Sequence, residues 1–205
     1  MTDHPQLYLV SPRQIDLARF PKALEAVLDA CPVACFRLAL AGVEDEATLI
    51  RAVDLCREVT VARDVALVLD DHLLMAQRLG LDGVHLTDGG RSVRTARAAL
   101  GPDAIVGSFC GTSRHDGMTA AEHGADYVSF GPVAQTGLGQ GDMAERDLFA
   151  WWSEMIEVPV VAEGALSATQ IPRLAPVTDF FAVSEIWAEQ DPARAVRAWY
   201  DLLRA

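Results

Sequence analysis

The stretch "LVLDDHLLMAQRLGLDGVHLTDGG", Leu67 to Gly90, places a helix-like segment between two short apolar runs. The first run begins at Val65 and stays apolar through Leu69 without alternating. A strand of that kind is buried on both faces, as in a parallel sheet covered by helices. Polar residues follow at once: Asp70, Asp71 and His72 close the first run, and Thr87 and Asp88 close the second. Between them, "LGLDGV" (79–84) ends a helix with glycine and opens a strand, as a left-handed C-terminal turn requires. "HGADYV" (123–128) repeats the device.

The same alternation runs the length of the chain. Strands are predicted at Leu7–Val10, Val33–Leu38, Val65–Leu69, Gly83–Leu86, Ala104–Ser108, Tyr127–Phe130, Val158–Ala162 and Phe180–Val183. Helices are predicted over 21–30, 46–61, 72–80, 91–100, 115–124, 145–156, 167–174 and 190–204, with Ser167 as an N-cap and Gln170 completing a capping box. Eight strand–helix units in 205 residues define a compact (β/α)₈ barrel, a single α/β domain over residues 1–205. A doubly wound open sheet is the rival, but the first strand lacks the glycine-rich turn of a dinucleotide fold. The irregular piece Gly131–Asp142, "GPVAQTGLGQGD", is long for such a barrel, and long loops in compact domains are often functional.

Composition narrows the partners. A net charge of −12 argues against nucleic acid and against anionic membrane surfaces. No apolar run is long enough to span a membrane, and the N-terminus lacks the features of a signal peptide. The four cysteines form no Cys-x-x-Cys pair and read as reduced, buried thiols of a cytoplasmic protein. Lys22 is the only lysine, so lysine-based chemistry has one candidate, in a helical stretch near the N-terminus.

Barrel chemistry lies at the C-terminal ends of the strands. Those ends carry Arg37, then Asp70, Asp71 and His72, then Asp88, then Glu163 and Gly164, and finally Ser184 and Glu185. The acids predict a net negative mouth suited to a cation, an amine or a cationic ring; taken singly, each also reads as a helix cap or a solvated carboxylate. Glu163 and Glu185 flank the turns after strands seven and eight, where many barrels hold phosphate, and make that place poor for a phosphate dianion.

The order of motifs resembles the thiamine phosphate synthase and thiazole tautomerase family. "LYLVS", "LDDH", "DGVHL", "GADYVSFGPV", "PVVAEGAL" and "FAVSEI" follow the family's motifs in order over nearly the whole chain. The resemblance implies a compact barrel, often a homodimer. It also implies a transferase that joins a pyrimidine-methyl diphosphate to a thiazole phosphate with Mg²⁺. Carried over by position, the family's Gln-x-Arg-x-Lys falls on Arg37, Ala39 and Ala41, and its Asn-Asp-Arg on Asp70, Asp71 and His72. One Mg²⁺ aspartate survives as Asp71, while the second falls on Gly90, with Asp88 two positions early. The Thr-x-Thr-Lys loop keeps Thr136 but continues with Gly137, Leu138 and Gly139. Gly164-Ala165 stands for the glycine pair after strand seven, Ser184-Glu185 for the serine pair after strand eight, and Pro132 for the tautomerase histidine.

The site expected from the sequence therefore has Asp70, His72 and Arg37 as catalytic candidates, with Asp88, Thr136, Glu163, Gly164, Ser184 and Glu185 on the substrate and Asp71 on a weakly held Mg²⁺. Several groups that would stabilise a departing pyrophosphate are missing. Two readings stay open: a divergent paralogue with impaired or altered catalysis on a thiamine-related or other cationic heterocycle, and a non-catalytic binding or regulatory protein for the same class of small molecule.

Overall fold

The computed structural model describes residues 4–42, 45–135 and 142–204. Each apolar run becomes a strand and each amphipathic run a helix. In chain order they are β1 (Gln6–Val10), α1 (Phe20–Ala30), β2 (Cys35–Leu38), α2 (Glu46–Val61), β3 (Ala66–Asp70), α3 (Leu73–Leu79), β4 (Gly83–Leu86), α4 (Val93–Leu100), β5 (Ile105–Phe109), α5 (Arg114–Glu122), β6 (Tyr127–Phe130), α6 (Arg146–Met155), β7 (Val160–Glu163), α7 (Ile171–Leu174), β8 (Phe180–Val183) and α8 (Pro192–Leu203). The strands pair in parallel, each with its neighbour, and β8 closes on β1. The expected (β/α)₈ barrel is the one observed. Among the described residues no helix is long and apolar enough to cross a membrane.

One local expectation fails. Ser167 does not cap a helix; α7 starts at Ile171, one residue before Pro172, and Gln170 occupies the N-cap position. The Ser167 hydroxyl instead donates to the Gln170 side chain at 2.9 Å, and the Gln170 amide donates to the Val133 carbonyl at 3.1 Å. Proline fixes φ for a first helical turn, so the helix begins around it and leaves the Ser167 turn outside.

Strand periodicity sorts side chains into two sets. Leu7, Leu9, Phe36, Leu38, Leu67, Leu69, Val84 and Val106 join the large core between strands and helices. The alternate positions, Tyr8, Val10, Cys35, Val68, Tyr127, Val161 and Ala182, form a second cluster inside the barrel. Gly107 belongs to the inner set, and a Cβ there would lie 2.0 Å from Cζ of Tyr127, so only glycine leaves that ring its place.

The N-terminal end of the barrel is tied by aspartates that precede the even strands. Asp82, Asp126 and Asp179 accept the backbone N–H groups of Leu67, Val106 and Val160 at 2.7, 2.7 and 2.8 Å. Each therefore stitches an even strand to its odd predecessor. Asp179→Ala leaves the N–H of fully buried Val160 without its acceptor, and an orphaned donor costs about 1–3 kcal/mol. The expected result in urea unfolding is a loss of that size, with cleft ligand binding unchanged because Asp179 lies at the opposite end.

Candidate functional site

Arg37 is the inner residue near the end of β2, aligned with Val10 of β1 and Val68 of β3. It is 7% exposed, so its permanent charge must be met from within. Glu163, at the end of β7, provides the main partner: its two carboxylate oxygens accept from Nη1 at 2.9 Å and from Nη2 at 3.3 Å. The second Nη1 proton points to Nε2 of His85 on β4, 2.7 Å away. Asp70, at the end of β3 and paired in register with His85, approaches Nε at 3.3 Å without an aligned hydrogen bond. Burial opposes the Arg37 charge, but Glu163 above all, with Asp70, outweighs it and raises the guanidinium pKa well above its usual value.

Asp70 differs from its neighbours. Burial pushes its carboxyl up to about 7; Arg37 pulls it down, and Glu163 and Asp71 push with burial. One oxygen is buried against Arg37, while the side chain as a whole retains 22% exposure toward a cleft above. That cleft, about 400 Å³, opens at the C-terminal ends of β1, β2, β3, β7 and β8. Its walls include Arg13, Arg37, Asp70, Asp71, His72, Glu163, Gly164 and Ser184.

The structure thus gathers Arg37, Asp70, Asp71, His72, Glu163, Gly164 and Ser184 around one space and leaves Asp88 and Glu185 out of its walls. Asp88 accepts from the Ser92 hydroxyl at the start of α4 and keeps its other oxygen buried. Glu185 accepts the N–H groups of Leu166 and Ser184, both at 2.9 Å. Its carboxylate ties the loop after β7 to the end of β8, beside Ala165, which holds a left-handed φ of 55°. The mouth is therefore less negative than a count of its acids suggests. Two acids are turned to loop construction, and Arg13 adds a positive charge at the rim. Thr136 lies outside the described residues.

His72 stands exposed at the N-cap position of α3 with no capping bond. It divides the cleft from a second hollow of about 580 Å³ between α2 and α3. Sequence reasoning did not single out Arg13, and it did not foresee the contact of His85 with Arg37. The inner/outer alternation was the available signal: Cys35 and Arg37, Val68 and Asp70, Gly83 and His85 all fall on the inner phase.

The residues present do not fit Mg²⁺. Asp71 is the one family Mg²⁺ position that keeps a carboxylate, and each of its oxygens accepts one hydrogen bond from Thr87, from the N–H at 2.8 Å and the hydroxyl at 2.5 Å. A Cβ at Gly90 would lie 2.7 Å from the Ala120 nitrogen, so the second metal position has no room for a carboxylate as packed. Among the described residues no three His, Cys, Asp or Glu side chains are grouped to hold a metal ion.

A closed parallel barrel with a polar cleft at its C-terminal rim defines the (β/α)₈ barrel class. Solved structures of that class include a thiamine phosphate pyrophosphorylase from Pyrococcus furiosus, with a TM-score of 0.82, 21% identity and coverage of 97% of this chain and 95% of that one. A 3-hexulose-6-phosphate synthase matches with a TM-score of 0.69 and 17% identity, covering 97% of this chain and 99% of the other. The family model described as thiamine monophosphate synthase matches residues 7–186, and this chain belongs to that family. Among its relatives, a thiamine-phosphate synthase of Rhodospirillum centenum is 43% identical over 100% of both chains. Another, of Hyphomonas neptunium, is 38% identical over 100% of this chain and 99% of its own.

Two outcomes follow from the charge geometry. Glu163→Ile strands Arg37 in the interior, and breaking a buried pair on one side costs about 3–5 kcal/mol. Adding Arg37→Met should recover most of that loss, and a double-mutant cycle by chemical denaturation measures the coupling. The second concerns pH. The unfolded chain releases the Asp70 proton near the usual 3.8, and the folded chain keeps it to about 7. Folding therefore binds a proton between those values, and the contribution of Asp70 to stability declines as pH rises through that window. Asp70→Asn cannot titrate, so the stability of the native protein relative to this variant should fall between about pH 4 and about pH 7 and level off above. A constant difference in urea midpoints would contradict the assignment.

Proposed function

We propose that this member of the thiamine monophosphate synthase family binds a thiamine-related or other cationic heterocycle in the cleft above Arg37, and that its diphosphate chemistry is impaired or altered. One observation carries the reading: three of the four Nη protons of Arg37 are directed to His85 and Glu163, which leaves at most one for a leaving group in the cleft. Stabilising a departing pyrophosphate is almost wholly electrostatic, and loss of one well-placed donor typically lowers the rate by roughly 10²–10³. Asp70, Asp71 and Glu163 give the wall an acidic character that favours a neutral or cationic ring.

In this proposal Asp70 and His72 are the acid–base candidates. A carboxyl pKa of about 7 suits Asp70 to proton exchange near neutral pH, and both groups line the same cleft. Arg37 holds Asp70 and Glu163 in place, while Gly164 and Ser184 contact the ligand. Asp88 and Glu185 act on it through the loops they order. No step runs through Mg²⁺, because the second carboxylate position that would hold it is Gly90, packed against Ala120. Cytoplasmic residence and homodimer assembly belong to the same proposal, the first supported by four buried, unpaired thiols and the second by the family resemblance. The same disposition of Arg37 also favours a second reading, a binding or regulatory protein without turnover.

The test combines synthesis and binding. Purified protein given the pyrimidine diphosphate, the thiazole phosphate and Mg²⁺ should form no thiamine phosphate at ordinary enzyme turnover, yet calorimetry should detect thiamine at micromolar levels. Product at on the order of 1 s⁻¹ or faster would overturn the proposal. Slow but measurable turnover supports altered catalysis, and binding with none supports the binding protein.

A further inference from the structure

Below the cleft, a row of polar side chains crosses the barrel interior. His85 is fully buried, with its Nε2 2.7 Å from Nη1 of Arg37 and its Nδ1 2.8 Å from the Tyr127 hydroxyl. The Tyr127 hydroxyl in turn lies 2.6 Å from that of Tyr8. We infer that His85, neutral and protonated on Nδ1, is the positioning residue for Arg37, with the Tyr127 hydroxyl accepting the Nδ1 proton from beneath. This goes beyond the proposed function, and rests on that reading only for the choice of ligand in one arm of its test.

The tautomer follows from donor counting. A guanidinium carries donors and no acceptor, so His85 must offer the Nε2 lone pair to Nη1. Its single ring proton then sits on Nδ1 and is donated to the Tyr127 oxygen. An imidazolium would set N–H against N–H at 2.7 Å, and burial, then the Arg37 charge, hold the His85 pKa well below its usual value. The charged and titratable groups around the imidazole are Arg37 from β2, Asp70 from β3, Tyr127 from β6, Tyr8 from β1 and, through Arg37, Glu163 from β7.

The packing is specific to this arrangement. Tyr127 stacks on His85 with ring centroids 5.7 Å apart and planes 20° from parallel, and its ring lies where a Cβ at Gly107 would be. Tyr8 meets Tyr127 edge-on at 5.5 Å, and the Arg37 guanidinium carbon lies 5.8 Å from the Tyr8 ring centroid. The guanidinium is thereby held from below by a lone pair and from above by Glu163. Without the lone pair, one Nη1 proton has no protein acceptor beneath the cleft. The guanidinium then tilts, and the two-point hold on Glu163 that shapes the cleft wall is lost.

The experiment uses the full-length, ¹⁵N-labelled protein and reads nitrogen signals together with thiamine affinity. The native protein should show His85 with a protonated Nδ1 and a bare Nε2 from about pH 5 to about pH 8, and slowly rotating, resolved Arg37 Nη signals. Tyr127→Phe keeps the ring beside Gly107 and removes only the oxygen. It should leave the His85 Nδ1 proton without an acceptor, shift its nitrogen signal and broaden the Arg37 signals. By analogy with residues that orient a ligand-contacting group from behind, it should weaken thiamine by about tenfold or more. His85→Gln, which offers both an acceptor and a donor, should restore affinity to within about threefold of native, whereas His85→Phe should not. A native His85 protonated on Nε2, or charged, overturns the inference. So do unchanged Arg37 signals in Tyr127→Phe. If the native protein binds no thiamine, the ligand reading falls, and the nitrogen signals still decide the role of His85.

Discussion

A guanidinium does not lose its proton inside a protein, so an arginine enclosed by eight strands must find its counter-charges there. Arg37 meets Glu163 from across the barrel, Asp70 from the neighbouring strand and the lone pair of His85 one strand further on. These contacts require the register that sets Arg37 beside Val68 and Asp70 beside His85, with Glu163 level with Ala182. A slip of one residue in any of these strands would turn its member of the network out toward the helices. The network therefore specifies the arrangement of strands as well as depending on it.

Above that layer, the chemistry of the cleft is decided by which acids remain free. Glu163 is bound to Arg37, Asp71 to Thr87, Asp88 to Ser92 and Glu185 to two backbone N–H groups. Asp70 alone among them keeps a carboxylate without an aligned hydrogen bond, and it is the one whose pKa is lifted toward neutrality. Family membership follows from sequence similarity along the whole chain. The chemistry that this member supports depends on these few contacts, since barrels of one design serve many reactions.

The barrel was legible from Val65–Leu69 and its repeats, because a strand buried on both faces must be apolar throughout and leaves an unbroken run. Strand ends moved by one or two residues, as at β2, which begins at Cys35 where the apolar run starts at Val33. The failure at Ser167 has the same origin as many capping errors. A good capping residue proposes a helix start, and a proline further on decides it. The candidate site was legible as a set of strand-end positions, and Arg37, Asp70, Asp71, His72, Glu163, Gly164 and Ser184 do share a cleft. Asp88 and Glu185 looked equivalent to them in sequence and have different partners in space.

What the sequence by itself determined was periodicity: eight buried parallel strands, the helices between them, and polar residues at one rim. Those follow from local pattern and burial, which each segment carries within itself. The tertiary structure alone decided the pairing of charges. Arg37 and Glu163 are 126 residues apart and become neighbours only when the barrel closes. His85 reads as an ordinary core residue until Arg37 on one side leaves it a single allowed tautomer and Tyr127 on the other accepts its proton. Coulomb and hydrogen-bond energies depend on distances of a few ångströms across strands, and no local pattern in the chain encodes those distances.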